Sequence, residues 1–221
     1  MFTGESPENY EQKCHCILVL DVSGSMQGES IAQLNRGLQE FQTEVISDYQ
    51  ASQRLEISIV TFGSTVQCIQ EPTLITNFQM PMLEAGGLTK MVDAVRLAIS
   101  LDQQRKQWYR NTGQNYYRSI IVLITDGQPE PADQDIEGLS REVRDGVKNK
   151  NFIFYGLGVK GYNHQKLAQI CSVELPPLPL DGYKYAEFFQ WLSNSIGMIT
   201  KSKEGEVLQL PAVTGWTQIQ M

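Results

Sequence analysis

The chain has 221 residues, of which 41% are hydrophobic and 19% are charged. A chain of this length buries roughly 70 to 75% of its unfolded surface, so we expect one domain that needs no disulfide or metal to fold. The formal net charge of -7 argues against nucleic-acid binding, because neutralising phosphates requires a surplus of lysine and arginine. No stretch approaches the ~20 apolar residues that span a bilayer, and the start lacks the basic and apolar regions of an export signal. We therefore expect a cytoplasmic protein with no membrane contact.

Short apolar runs alternate with helical patterns along the chain. The runs predict strands at Cys14–Asp21, Leu55–Phe62, 66–70, Ser119–Thr125 and 152–159. Apolar residues recur at helical spacing in three stripes, which are Ile31, Leu34, Leu38, Phe41 and Val45, then Val92, Val95 and Ile99, then Ile136, Leu139, Val143 and Val147. We expect Asp133 to cap the third of these helices. A short helix over 164–172, a Pro-rich link and a final helix over 184–200 complete the pattern.

This order of elements predicts the fold class. Strands that alternate with helices imply right-handed βαβ units and a mostly parallel sheet. Gly63-Ser64-Thr65 has the composition of a hairpin turn, which adds one antiparallel edge strand. We therefore expect an α/β, doubly wound, Rossmann-like sheet with helices on both faces. We expect residues 1–13 to form an N-terminal extension, 14–200 the domain and 201–221 a C-terminal tail, which is apolar enough to pack back on the domain or to dock a partner.

Oxygen-bearing side chains follow two of the predicted strands and precede one helix. Asp21, Ser23 and Ser25 end the first strand in a D-x-S-x-S pattern, and Asp126 ends the strand Ser119–Thr125. Thr89 follows a glycine pair at the start of a helix. In open parallel sheets, ligands bind beyond the carboxyl ends of the strands, so these side chains are expected to converge. An all-oxygen set suits Mg²⁺ or Mn²⁺ better than zinc, with the open positions filled by water or by a partner's carboxylate.

A plainer interpretation exists for each of these residues. Asp21 and Asp126 could be ordinary turn residues at strand ends, and Ser23, Ser25 and Thr89 could cap the helices that follow. Three independent turns would then have to imitate one site.

Two other groups of residues suggest alternative sites. Cys14-His15-Cys16, helped by Cys171 or His164, could form a zinc site, although the spacing is not C-x2-4-C. Otherwise the four cysteines, which include Cys68, are scattered reduced thiols. The segments 105–110 and 116–118 mix cations with aromatic residues, as single-stranded nucleic-acid binders do. Because they lead into the amino end of a strand, remote from the oxygen-rich site, we expect surface or partner packing there.

The three parts together resemble the metal-ion-dependent adhesion site of von Willebrand factor A domains. They are Asp21-x-Ser23-x-Ser25, Gly86-Gly87-Leu88-Thr89 and Thr125-Asp126-Gly127, and they occur in the order of that family. The resemblance covers residues 14–200 and implies an intact site. It implies that Ser23, Ser25 and sometimes Thr89 ligate the metal directly, with Asp21 and Asp126 bound directly or through water. The chain looks most like the stand-alone bacterial TerY-like proteins of tellurite resistance and stress responses.

The expected function is therefore a protein-binding module that is not an enzyme. The metal would bridge to an acidic group of a protein partner, with no catalytic residue and no organic cofactor. The alternative is a Mg²⁺-dependent phosphoryl-transfer enzyme of the haloacid-dehalogenase type. That family places a second acid two residues after its nucleophile, where this chain has Ser23. A serine hydrolase is not indicated, because the chain has only two histidines and no G-x-S-x-G motif.

Overall fold

A computed structural model of the chain describes residues 7, 9–126, 135–159, 161–173, 175–180, 184–202 and 210–211. The strands of this part are β1 (Cys14–Asp21), β2 (Leu55–Phe62), β3 (Val66–Leu74), β4 (Ser119–Thr125), β5 (Phe152–Gly158) and β6 (Leu178–Pro179). The helices are α1 (Glu29–Ser47), α2 (Tyr49–Arg54), α3 (Met91–Thr112), α4 (Ile136–Lys148), α5 (His164–Ile170) and α6 (Tyr185–Lys201). None of these helices has the length and apolar character to cross a bilayer.

The strands form one twisted sheet in the order β3-β2-β1-β4-β5-β6. All neighbouring pairs are parallel except β2 and β3, which are antiparallel. The expected doubly wound α/β sheet with one antiparallel edge strand is therefore confirmed. From β1 the chain passes to β2 on one side and later to β4 on the other, so the winding direction reverses at β1. A crevice at the carboxyl ends of β1 and β4 follows from this reversal.

The sheet is covered on both faces. Leu18 and Leu20 of β1 belong to the core that α1 and α6 cover, whereas Ile17 and Val19 belong to the core that α3, α4 and α5 cover. Every residue of β1, β2 and β4 is buried. Central strands covered on both sides read as continuous apolar runs rather than alternating ones, which is why their bounds were predictable.

The edge strands differ from the prediction. β3 continues to Leu74, four residues further than expected, because an edge strand tolerates Pro72 and half-exposed polar residues. β6 lies inside the predicted Pro-rich link, and its two residues pair only with the end of β5. β5 itself ends at Gly158, one residue earlier than expected.

The helices differ from the prediction at three points. α2 was not predicted, because six residues are too few to show periodicity; the Asp48 side chain caps it by accepting from the amides of Gln50 and Ala51. The residue that caps α4 is Asp135, which accepts from the amide of Gly138, and Asp133 lies outside the described residues. α5 is two residues shorter than predicted.

Part of the C-terminal tail lies against the domain. Leu210 packs on the core beside α6, and the indole Nε1 of Trp191 donates to the carbonyl oxygen of Pro211 at 2.8 Å. Packing of the tail is confirmed for these two residues, while Trp216 lies outside the described part of the chain.

Candidate metal centre

Four of the five predicted site residues meet at the carboxyl ends of β1 and β4. Ser25 Oγ donates to Asp126 Oδ1 at 2.7 Å, and Ser23 Oγ lies 3.0 Å from Ser25 Oγ. The two serine hydroxyls thus share one hydrogen bond, in which either can be the donor. The backbone amide of Ser23 donates in turn to Asp21 Oδ1 at 2.8 Å. A continuous chain of hydrogen bonds therefore joins the two loops.

The carboxylate of Asp21 is the most rigidly held group of the site. The residue is fully buried, and its second oxygen, Oδ2, accepts from the hydroxyl of Thr125 at 2.6 Å. Both oxygens thus have a donor, one from each of the two central strands' ends. Ser25, by contrast, is exposed. The site is closed at Asp21 and open to solvent at Ser25.

The two carboxylates influence each other's charge, and no cationic side chain of the described residues lies beside them. Burial raises the pKa of Asp21, the hydrogen bonds from Ser23 and Thr125 oppose this rise, and the charge of Asp126 adds to it. Burial also raises the pKa of Asp126, against the hydrogen bond from Ser25. Within the described residues, neither carboxylate has a Lys, Arg or His within ion-pair distance. A bound cation would stabilise the ionised form of both.

The third part of the site is brought in by its backbone. The amide of Gly86 donates to the carbonyl oxygen of Val22 at 2.7 Å, and the amide of Gly24 donates to that of Gly87 at 3.0 Å. Gly87 has a φ of +87°, and a Cβ there would lie 2.2 Å from Ser64 Oγ, so this position requires glycine. Thr89 is half-buried near these loops, and its hydroxyl has no hydrogen-bond partner in the described part of the chain.

The plainer interpretation of the hydroxyl residues does not fit this geometry. Ser23 precedes a 3-10 turn, Gly24–Met26, but its side chain makes no capping hydrogen bond. The residues that precede α1 and α3 are Gly28 and Lys90, so neither Ser25 nor Thr89 occupies a cap. The hydroxyls of Ser23 and Ser25 bind each other and Asp126 instead of capping a helix.

The donor set matches a hard divalent cation. Within the described residues, no three His, Cys, Asp or Glu side chains lie close enough to share a metal, which excludes a zinc-type cluster there. Two carboxylates with serine and threonine hydroxyls are instead an all-oxygen set of low charge. Mg²⁺ is usually bound by one or two carboxylates and keeps several waters, so these residues fit it.

The zinc alternative at Cys14-His15-Cys16 is wrong. Cys14 and Cys16 point into the core under α1 and α6, whereas His15 points to the opposite face, because successive strand residues alternate. Burial raises the pKa of the Cys14 thiol to about 12, so the thiolate that a metal requires is disfavoured.

The expectation of surface or partner packing for residues 105–110 is wrong for several of them, which are buried inside the domain. Arg105, Lys106, Trp108 and Tyr109 are buried between α3 and the sheet. Arg105 forms two hydrogen bonds with Glu56, of 2.7 and 2.6 Å, and its guanidinium carbon lies 3.9 Å from the Trp108 ring centroid. The helical pattern alone did not show which side of α3 these cations occupy.

A serine, a histidine and an aspartate also meet in this buried region. His15 Nε2 lies 2.9 Å from Ser58 Oγ, and His15 Nδ1 lies 3.8 Å from Asp102 Oδ1. The second distance is too long for a hydrogen bond, and Asp102 accepts instead from Lys106 Nζ at 2.7 Å. None of the three triad residues is more than 1% exposed. A substrate cannot reach Ser58, so this group is not a hydrolase site.

The fold and the crevice define a class: an α/β domain with an oxygen-rich crevice at the carboxyl ends of β1 and β4. The chain belongs to the von Willebrand factor type A domain family, whose model matches residues 16–177. Domains of this family generally mediate metal-dependent protein interactions and are typically not enzymes.

Individual similarities agree with this membership. Inter-alpha-trypsin inhibitor heavy chain H1 of Bos taurus is 24% identical over 163 residues, which are 69% of this chain and only 17% of that relative. The structure of pilus adhesin SpaC from Lactobacillus rhamnosus GG has a TM-score of 0.62 at 16% identity, covering 89% of this chain and 31% of the adhesin. The vWF domain of the pili tip protein Mfa5 from Porphyromonas gingivalis has a TM-score of 0.57 at 10% identity, covering 90% and 99%. At these identities the two structures show the fold alone.

Proposed function

We propose that the domain binds a protein partner through Mg²⁺ or Mn²⁺ held by its oxygen-rich crevice. The ligand set is Asp21, Ser23, Ser25, Thr89 and Asp126. The observation that supports this most is the hydrogen-bonded chain from Ser23 through Ser25 to Asp126. Within the described residues, neither Asp126 nor the neighbouring Asp21 has a cationic side chain in ion-pair distance. The bound metal would supply a positive centre that accepts a carboxylate oxygen from the partner.

The proposed ligands differ in burial and in their role at the site. Asp21, fixed by the Ser23 amide and the Thr125 hydroxyl, supplies a rigid negative charge at the buried side. Ser25 is exposed and hydrogen-bonded to Asp126, so its oxygen faces both the crevice and solvent. Two protein carboxylates neutralise a divalent cation, and open positions on the solvent side leave room for the partner's acidic group.

Metal titration of the purified chain tests this proposal. We expect saturable binding of Mg²⁺ and Mn²⁺ by calorimetry and a rise in melting temperature, since a ligand that binds only the native state stabilises it. Asp126→Ala should abolish both effects. Asp145→Ala is the matched control, because Asp145 is an exposed carboxylate on α4, remote from the crevice. Absence of wild-type binding at millimolar metal, or equal binding by Asp126→Ala, would contradict the proposal.

The structure does not favour the phosphoryl-transfer alternative. A nucleophilic aspartate needs an accessible carboxylate oxygen, and Asp21 is fully buried with a donor on each oxygen. The site therefore serves binding better than covalent catalysis.

A biological role in a bacterial stress or tellurite-resistance system, as a cytoplasmic TerY-like protein, stays a prediction from sequence resemblance. Tellurite sensitivity of a deletion strain provides the test. Complementation by the wild-type gene and failure by the Asp126→Ala gene would support both the role and its dependence on the metal centre.

A further inference from the structure

The segment that delivers Thr89 to the crevice has no helix or strand of its own. Residues 75–90 connect β3 to α3 and pass along α1. Met80 and Leu83 of this segment are buried, so their backbone amides and carbonyls need partners other than water. A segment of this length without such partners would not hold a ligand in one place.

Side-chain amides on one face of α1 provide these partners. Asn35, Gln39 and Gln42 are spaced four and three residues apart, so they form a stripe along the helix. Asn35 Oδ1 accepts from the Leu83 amide at 2.8 Å, and Asn35 Nδ2 donates to the Leu83 carbonyl at 2.9 Å. One side chain thus pairs with both backbone groups of one residue, as a neighbouring strand would.

Gln42 and Gln39 continue the same pattern further from the crevice. Gln42 Oε1 accepts from the Met80 amide at 2.9 Å, and its Nε2 donates to the carbonyl oxygens of Phe78 and Ile75 at 2.7 and 3.0 Å. Gln39 Nε2 donates to the Met80 carbonyl oxygen at 2.9 Å. The segment is therefore anchored to α1 before it reaches the glycine pair.

The two anchoring side chains are buried, and Leu83, which Asn35 binds, lies close in sequence to Thr89. Asn35 and Gln42 are only 6% and 9% exposed, so losing either amide leaves buried backbone groups without partners. Leu83 precedes Gly86, whose amide binds Val22 next to Asp21. Contacts at Leu83 and Gly86 thus fix the chain that leads to Thr89. The amides of Leu88 and Lys90, on either side of Thr89, bind Ser64 Oγ and the Gly63 carbonyl oxygen.

We propose that Asn35 and Gln42 are positioning residues of the metal centre, which act by fixing the segment that carries Thr89. This inference rests on the proposed function, since it concerns the same metal. Neither side chain is part of the ligand set, and their hydrogen bonds run to Met80, Leu83 and the residues before them. Residues that orient metal ligands through hydrogen bonds typically contribute 10- to 100-fold in affinity.

The test compares Asn35→Leu and Gln42→Leu with Gln33→Leu. Gln33 lies on the same helix, but its amide binds Glu29 within α1 rather than the segment. We expect Asn35→Leu to weaken Mg²⁺ affinity about tenfold and to speed amide exchange at residues 84–90 in the metal-free protein. Gln42→Leu should act in the same direction, and Gln33→Leu should change neither quantity. If Asn35→Leu does not fold, Asn35→Ser takes its place.

A double-variant cycle separates positioning from a general loss of stability. In the Thr89→Ala background, Asn35→Leu should cause little further loss of Mg²⁺ affinity, because the group it positions is already absent. A full additional tenfold loss, or unchanged affinity in folded Asn35→Leu, would overturn the inference while leaving the proposed function intact. Failure of the wild-type chain to bind Mg²⁺ would instead overturn the proposed function.

Discussion

Both ends of the central strands carry buried or half-buried carboxylates, but among the described residues only those at the amino end have cationic partners. At the amino end, Glu56 faces Arg105 and Asp102 faces Lys106, and all four side chains are buried with their charges paired. At the carboxyl end, Asp21 and Asp126 lie close together without a cation among the described residues. The Arg105–Glu56 pair joins α3 to β2, and the Asp102–Lys106 pair lies within α3. The carboxylates at the other end can instead be paired by a cation that binds from solvent. This difference in charge pairing distinguishes the structural cluster at the amino end from the candidate binding site at the carboxyl end.

The pKa shifts of the carboxylates show the same contrast. Burial alone would raise the pKa of Glu56, but the hydrogen bonds and charge of Arg105 outweigh it, so this pKa lies below its ordinary value. Tyr109 also donates to Glu56, at 2.5 Å. Asp21 and Asp126 are shifted the other way, chiefly by burial. The direction of the pKa shift therefore follows whether a cationic side chain lies beside the buried carboxylate.

Breaking the paired end should give the largest effect on stability. Arg105→Met leaves the Glu56 carboxylate buried and without its cation, which typically costs about 3 to 5 kcal/mol in unfolding free energy. Urea denaturation at neutral pH measures this loss. The double variant Glu56→Leu/Arg105→Met should recover part of it, because no buried charge then needs compensation, while the buried Tyr109 hydroxyl loses its acceptor. A loss below about 1 kcal/mol in the single variant would mean that the pair behaves like a surface ion pair.

The stability difference between wild type and Arg105→Met should depend on pH in a defined direction. The folded-state pKa of Glu56 is lowered, so its stabilising contribution is complete above the unfolded pKa of about 4.3. That contribution is lost as the pH falls through the lower, folded value. The free-energy difference between the two proteins should therefore narrow in acid. A difference that stays constant from neutral pH to pH ~3 would show that lost packing, not charge, causes the destabilisation.

At the unpaired end, removing a charge should cost little without metal and remove the response to metal. Asp126→Asn keeps an acceptor for the Ser25 hydroxyl but removes one negative charge. We expect its metal-free unfolding free energy to stay within about 0.5 kcal/mol of wild type, because the hydrogen bond from Ser25 is kept and no ion pair is lost. Wild type at a hundredfold excess of Mg²⁺ over its Kd should gain about 2.7 kcal/mol, and the variant should not. A large loss of unfolding free energy without metal would mean that Asp126, like Glu56, stabilises the fold itself.

The sequence predicted the carboxyl end better than the amino end for a physical reason. Asp21, Ser23, Ser25 and Asp126 directly follow uninterrupted apolar strands, and parallel strands bring their carboxyl ends together whatever the details of packing. The amino-end cluster depends on which face of α3 turns inward, and Arg105 on a cationic, aromatic helix reads equally well as a surface residue. A local sequence pattern shows which residue types are present in a segment. It does not show that Glu56 pairs with Arg105, because these residues are brought together only by the fold.

The same reason explains the parts of the site that the sequence did not show. Asn35, Gln39 and Gln42 look like ordinary polar residues on an amphipathic helix. Only the path of residues 75–90 along α1 makes them partners of a buried backbone. A stripe of amides at helical spacing beside the apolar face was the available signal, since exposed helix faces favour charged residues instead.

An exposed ion pair shows whether charge pairing stabilises the protein without burial. Lys201 Nζ lies 2.6 Å from Asp48 Oδ2, with the two side chains 53% and 32% exposed. The hydrogen bond from Lys201 is the main reason why the pKa of Asp48 is lowered, but solvent screens such a pair. Lys201→Met should therefore cost less than about 1 kcal/mol, and the loss should shrink further at high salt. Asp48→Ala should cost about 1 kcal/mol more, because it also removes the cap of α2. If Lys201→Met were as costly as Arg105→Met, pairing alone would account for stability, and burial could not be what distinguishes the two ends of the sheet.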